Sequence, residues 1–202
     1  AASADELKEM QQLAKKAMQD GAWGMSTGLI YVPGTYADTD ELVAVAKVVS
    51  RHKGIYASHI RNENVRLLLA VEEAMEIGRR AGLPVHVSHF KSSGRESWGI
   101  VRQAALRIQK ARDGGQVVTA DQYPYIASST SLDATVIPTW ARAGGRAALI
   151  KRFDDPPVAR RIRVAVAENL SRKEDGAVLM IARYALRQDW VGKSVAKIAE
   201  AE

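Results

Sequence analysis

The chain has 202 residues, 47% of them hydrophobic, no cysteine and a formal net charge of +6. That apolar share excludes a disordered chain and suits one globular domain, or one domain with an appendage, while the lack of cysteine excludes disulfides and thiolate metal ligands. No run approaches the roughly 18 apolar residues of a membrane span and the first residues lack the basic-then-apolar order of a secretory signal, so a cytoplasmic protein with no membrane partner is expected.

Residues 5–20 place Leu7, Met10, Leu13, Ala14 and Ala17 at helical spacing, and Gly21 stops them. A strand-like run from Trp23 to Tyr31 follows and is broken at Pro33-Gly34. Asp38 with Glu41 three residues on resembles a capping box, and Leu42, Val45, Ala46 and Val49 stripe the helix behind it up to Gly54. A strand carrying His59 comes next, then a helix striped by Leu67, Val71, Ala74, Gly78 and Ala81 and closed by Gly82. Pro84 opens a strand carrying His89. Trp98, Val101, Ala105 and Ile108 stripe a fourth helix, which Gly114-Gly115 ends before a fourth strand over residues 117–124.

The strands start about 30 residues apart, the length of one strand plus one crossover helix, so the first 125 residues read as four consecutive βα units. An eight-unit barrel typically takes ~250 residues; this run amounts to about half of one, and a doubly wound open sheet fits the same periodicity. After residue 125 the rhythm fails. A polar loop over Ser128–Ser131, an irregular stretch around Pro138, a helix opened by Pro156-Pro157, a short strand over 177–183 and a final helix over 194–202 suggest a small α+β subdomain spanning 126–202. Residues 141–175 hold nine Lys or Arg against five acids, which supplies +4 of the net charge. Without interleaved aromatics or a nucleic-acid motif, this stretch reads as a solvated amphipathic face and not as a nucleic-acid partner site.

Two matched contexts carry the chemistry: Ala57-Ser58-His59-Ile60-Arg61 and Val87-Ser88-His89-Phe90-Lys91, each ending a buried strand. In parallel α/β folds, active-site groups gather at the carboxyl ends of strands. Strand alternation puts His59 on the face of Ile55 and Ala57, and His89 on the face of Val85 and Val87, leaving His86 pointing the other way. A lone strand histidine is ordinarily a hydrogen-bonded structural residue. A pair in matched positions on adjacent strands can converge above a barrel mouth, where two imidazoles supply half of a four-coordinate shell for zinc or a similar ion. Lys91 is a candidate partner for a substrate carboxylate or else a solvated strand terminus, and Tyr31 a hydroxyl donor or an aromatic plug at the rim. Asp121 is a candidate acid or base, or else an anchor for the loop after it. His52, near a helix end, reads as a surface group.

The stretches Gly24 to Tyr31, Tyr56 to Glu63, Val87 to Lys91 and Thr119 to Tyr125 with the loop at Ala127 resemble, in order, the D-aminoacylase (N-acyl-D-amino-acid deacylase) branch of the amidohydrolase superfamily. The resemblance implies a partial (β/α)8 TIM barrel over 1–125, with βα units 4 to 7, and the family's inserted small subdomain over 126–202. It implies a zinc-dependent hydrolase that cleaves the amide of N-acyl-D-amino acids. His59 and His89 match the family's zinc-binding histidines, and Tyr31 and Lys91 match positions that hold substrate. A His-X-His pair on a first strand, a cysteine ligand and a catalytic aspartate on an eighth strand have no counterpart here, so no catalytic residue is assigned. The expectation is the middle of a longer enzyme, inactive in isolation, whose open barrel edges favour self-association. The other readings are a cyclic imide or ureido hydrolase of the same superfamily, and a nonenzymatic α/β module with a basic partner-binding subdomain.

Overall fold

The structure is a computed structural model that describes residues 2–202. The chain forms two compact units, one up to Pro124 and one from Tyr125 onward.

In the first unit four strands pair parallel in chain order: β1 (Gly24–Gly28), β2 (Ile55–His59), β3 (Val85–Val87) and β4 (Val118–Ala120). Helix α1 (Ala4–Gln19) precedes them, and α2 (Thr39–Arg51), α3 (Leu67–Ala81) and α4 (Ile100–Asp113) are the crossovers. The alternation expected from the apolar periodicity is present, with the strands shorter than their apolar runs. Helix starts follow local chemistry. Ser3 and Glu6 form a reciprocal capping box on α1, whereas on α2 the Asp38 carboxylate accepts from the Glu41 N–H but the Glu41 carboxylate turns away to the Ala2 N–H at 2.6 Å. The expected box at α2 is therefore half formed, because a longer-range donor claims its second carboxylate.

The register decides which face of the sheet is covered. Tyr56 pairs with Val85, Ser58 with Val87 and Val85 with Val118, and all five are buried against the helices with Val49, Ile60, Val71 and Ile77. The intervening residues, Ile55, Ala57, His86 and Thr119, form the opposite face, where Ile55 is 42% exposed. Polar groups on the covered face are satisfied internally: the Tyr56 hydroxyl lies 2.8 Å from Thr27 Oγ1 and 3.2 Å from Ser58 Oγ, and burial pushes its pKa up from the ordinary 10.0. The sheet and its helices come close enough at Gly78 that a methyl group there would run into Val85 Cγ2, so glycine at this turn of α3 is a packing requirement.

The second unit is helical: α5 (Leu132–Val136), α6 (Thr139–Arg142), α7 (Gly145–Phe153), α8 (Pro156–Ser171) and α9 (Val195–Ala201). This corrects the α+β expectation. The apolar run 177–183 pairs with residues 192–195 over a short length, through an antiparallel bridge between Met180 and Ser194 and backbone hydrogen bonds from Ile181 N–H to the Lys193 carbonyl, Gly192 N–H to the Ile181 carbonyl and Val195 N–H to the Leu179 carbonyl, while Val178 and Met180 stay exposed. A pairing this short does not extend into a strand. The stretch expected to be irregular around Pro138 instead ends one short helix and caps the next. Asp155 caps α8 with Pro156 at its first position, as its sequence predicts. No helix among the described residues is long and apolar enough to cross a membrane.

Candidate metal centre

β2 ends at His59, opposite Gly28 of β1. On β3 the pairing of Ser58 with Val87 means that continued alternation would send the His89 ring to the covered face, away from His59. The backbone prevents this. β3 stops at Val87, and His89 adopts a left-handed conformation, φ +39°, that reverses its side chain. Asp121, just past β4, holds the turn twice: its carboxylate accepts the His89 N–H at 2.7 Å and its carbonyl the Phe90 N–H at 2.8 Å. The result is contact between the two rings, His59 Nδ1 to His89 Nε2 at 2.7 Å, with centroids 4.4 Å apart and planes 75° from parallel. The expectation that His89 shares the strand face of Val85 and Val87 is thus corrected, while the pair still meets.

Lys91 is also past the end of β3. Its ammonium lies 2.6 Å from Glu63 Oε1, 3.0 Å from His89 Nδ1 and 3.0 Å from the His89 carbonyl, and 5.5 Å from the centroid of the Tyr123 ring. Tyr31 lies in the loop after β1, its ring 4.9 Å from that of His59. Four residues that sequence reasoning singled out, His59, His89, Lys91 and Tyr31, therefore gather around one point. Arg61, two residues beyond His59, is committed elsewhere: its guanidinium grips Glu73 on α3 at 2.8 and 2.9 Å and the carbonyls of Thr35 and Ala37 at 2.9 Å. His86 lies on the exposed face, 2.9 Å from Thr119 Oγ1 and 3.0 Å from Asp121 Oδ1. His52 caps the end of α2 and is exposed.

Glu63 is the residue that sequence reasoning missed. It sits in the loop between β2 and α3, Oε1 3.0 Å from His89 Nδ1, and His59, Glu63 and His89 offer ligand atoms all within 4.8 Å of one another. Its signal was its place four residues beyond a strand-end histidine. Loops have no periodicity from which a side-chain direction follows.

No family model matches the chain. D-aminoacylase of Alcaligenes xylosoxydans xylosoxydans is 42% identical over 132 residues, which are 65% of this chain and 27% of that protein. N-acyl-D-glutamate deacylase of the same organism is 39% identical over 130 residues, 64% of this chain and 27% of the relative. The crystal structure of a D-aminoacylase, described as defining a novel subset of amidohydrolases, matches with a TM-score of 0.61 at 39% identity over 63% of this chain and 27% of that one. The N-acyl-D-glutamate deacylase of Bordetella bronchiseptica, solved with zinc and a phosphonate inhibitor, matches with a TM-score of 0.64 at 32% identity, over 84% of this chain and 41% of that one. The chain is a homologue of the D-aminoacylases. It spans 27% of the length of each of these two curated relatives.

In this D-aminoacylase homologue the electrostatics favour an uncharged imidazole at His59. Burial holds its pKa below the ordinary 6.5, with His89 and Lys91 adding to the effect and Glu63 opposing it. At Asp121 burial alone would raise the pKa, but hydrogen bonds from the His89 backbone and His86 outweigh it and hold the carboxyl below 3.8. The donor set, two imidazoles and a carboxylate, suits zinc and similar divalent ions. One atom tests the fit directly: His59 Nε2 is buried and has no hydrogen-bond partner among the described residues. A buried polar nitrogen left unpaired costs about 1–3 kcal/mol, a cost that a bound ion would offset. With His59 Nδ1 as the donor to His89 Nε2, that nitrogen presents a bare lone pair, the state a metal requires.

Proposed function

We propose that the first unit is part of a (β/α)8 barrel, units 4 to 7, with residues 126–202 as an inserted subdomain, and that the chain carries part of the centre of a metal-dependent N-acyl-D-amino-acid deacylase. His59, His89 and Glu63 hold the ion, and zinc is the metal we assign. The observation that carries this reading is the convergence of those three side chains at the carboxyl ends of β2 and β3, together with the unpaired His59 Nε2. The likeness to D-aminoacylases supplies the substrate class. Zinc held there supplies Lewis acidity toward an amide carbonyl and acidifies a water molecule.

The chain's own residues do the remaining work. Lys91 takes the α-carboxylate of the N-acyl-D-amino acid, and Tyr31, its ring 4.9 Å from that of His59, is a second contact for the substrate. Asp121 orients His89 through its backbone. No side chain of the cluster is assigned as the proton shuttle, and the isolated chain is expected to turn over little or no substrate.

The experiment is metal analysis of the purified chain after equilibration with zinc, beside the His59→Asn, His89→Asn and Glu63→Gln variants, with deacylase activity measured on N-acetyl-D-amino acids. Stoichiometric zinc that falls in each variant supports the centre. Equal zinc in all four proteins would refute it, and strong activity of the isolated chain would refute its assignment as part of a centre.

A further inference from the structure

We propose that Lys91 and the metal ion are alternative cations for Glu63, so that ion binding releases Lys91 to receive the substrate's carboxylate. This rests on the metal centre proposed above and assigns it a built-in coupling between metal and substrate.

A lysine ammonium has three N–H donors. Two of those donors are committed, to Glu63 Oε1 at 2.6 Å and to the His89 carbonyl at 3.0 Å, and the ammonium also lies 3.0 Å from His89 Nδ1, which carries the imidazole proton when His89 Nε2 accepts from His59. A substrate carboxylate approaching this ammonium finds the Glu63 carboxylate already on it and competes with it for the cation. Two of the groups around the ammonium, Glu63 and the His89 ring, belong to the trio that can hold an ion. The pair is also well shielded, with Glu63 only 10% and Lys91 18% exposed, so water does not readily substitute for either partner.

Glu63 Oε1 already faces both the ammonium and the His89 ring, at 2.6 and 3.0 Å. It cannot offer the same lone pairs to a divalent ion and to Lys91. An ion that takes Glu63 therefore frees the Lys91 donor that Glu63 holds and leaves the ammonium tethered to the His89 carbonyl, beside the centre. By thermodynamic reciprocity, a carboxylate that draws Lys91 off Glu63 must tighten metal binding by the same factor. The lysine acts as a stand-in cation that keeps the acidic ligand from being left buried and unpaired.

The test uses zinc affinity, read by competition with a chromophoric chelator, on the full chain and on Lys91→Met, Glu63→Gln and the double variant. Expected are about tenfold tighter zinc in Lys91→Met, about tenfold weaker in Glu63→Gln, and less than a twofold effect of Lys91→Met in the Glu63→Gln background. Saturating N-acetyl-D-glutamate should tighten zinc binding several-fold in the parent chain and leave Lys91→Met unchanged. Lys91→Gln, checked by circular dichroism, serves as a second variant if the methionine disturbs folding.

A gain from Lys91→Met that persists undiminished without Glu63 would reveal simple charge repulsion and overturn the exchange. No gain in either lysine variant would overturn it as well. If His59→Asn and His89→Asn leave zinc affinity untouched, the metal centre itself fails and the exchange with it. Zinc that depends on both histidines but is indifferent to Lys91 sinks the exchange alone.

Discussion

Asp121→Ala tests whether a carboxylate past one strand positions the histidine past its neighbour. His89 occupies the left-handed region at φ +39°, which costs a residue with a side chain roughly 1–2 kcal/mol. The Asp121 carboxylate accepts its N–H at 2.7 Å, and a hydrogen bond to a charged group contributes about 1.5–3 kcal/mol. Because the carboxylate is 59% exposed, the low end of that range applies. Losing about 1.5 kcal/mol is enough to release the turn, and once released the chain returns to strand alternation, which carries the His89 ring away from His59. Each 1.4 kcal/mol is tenfold in an equilibrium constant, so zinc affinity should fall about tenfold. Asp121→Asn keeps an oxygen acceptor and should stay within about threefold of the parent. Chelator competition measures the affinity, and the visible spectrum of the cobalt-substituted chain reports whether one imidazole has left the ion. Unchanged affinity and an unchanged cobalt spectrum in Asp121→Ala would refute the reasoning.

Gly78→Ala should destabilise the chain by about 1–3 kcal/mol in urea titration, since the added methyl meets Val85 in a filled core. Arg61→Ala should speed amide hydrogen exchange across residues 31–38, whose Thr35 and Ala37 carbonyls lose their donor, and Arg61→Lys should not restore protection, because one ammonium cannot reproduce the guanidinium's contacts with Glu73 and both carbonyls. His59 is depressed below its ordinary 6.5, so the unfolded chain binds the proton more readily and stability is lost as pH falls below about 6.5. His59→Asn should flatten that limb of a pH series of thermal melts. The depressed Asp121 carboxyl adds stability that is present above 3.8 and lost as pH falls through its lower folded value. β1 and β4 are the edges of the sheet, and Ile55 is exposed on its uncovered face, so light scattering should report self-association of the isolated chain; a strict monomer across concentration would count against it.

Much of the first unit was legible because its signals are local. Apolar residues at helical spacing, Gly82 in a left-handed cap after α3 and Pro84 before β3 each act within a few residues. The second unit was harder to read. A run such as 177–183 is a strand only if another segment pairs with it over some length, and here the pairing with residues 192–195 amounts to one bridge and a few hydrogen bonds. At the centre, the strand-end positions of His59 and His89 could be read directly, whereas the direction of the His89 ring could not. Alternation alone separates them. Glu63 went unassigned because its loop carries no repeating pattern to aim it.

The order of helices and parallel strands, the placing of two histidines at neighbouring strand ends and the presence of a lysine two residues beyond one of them follow from sequence alone, because periodicity and glycine punctuation are properties of short windows. What the tertiary structure decided is direction. The His89 ring turns through a hydrogen bond to a residue 32 positions away, and the Lys91 ammonium rests on a carboxylate 28 positions away. Contacts over such separations exist only once the sheet has formed, since strand pairing brings those atoms within 3 Å and no local rule encodes it.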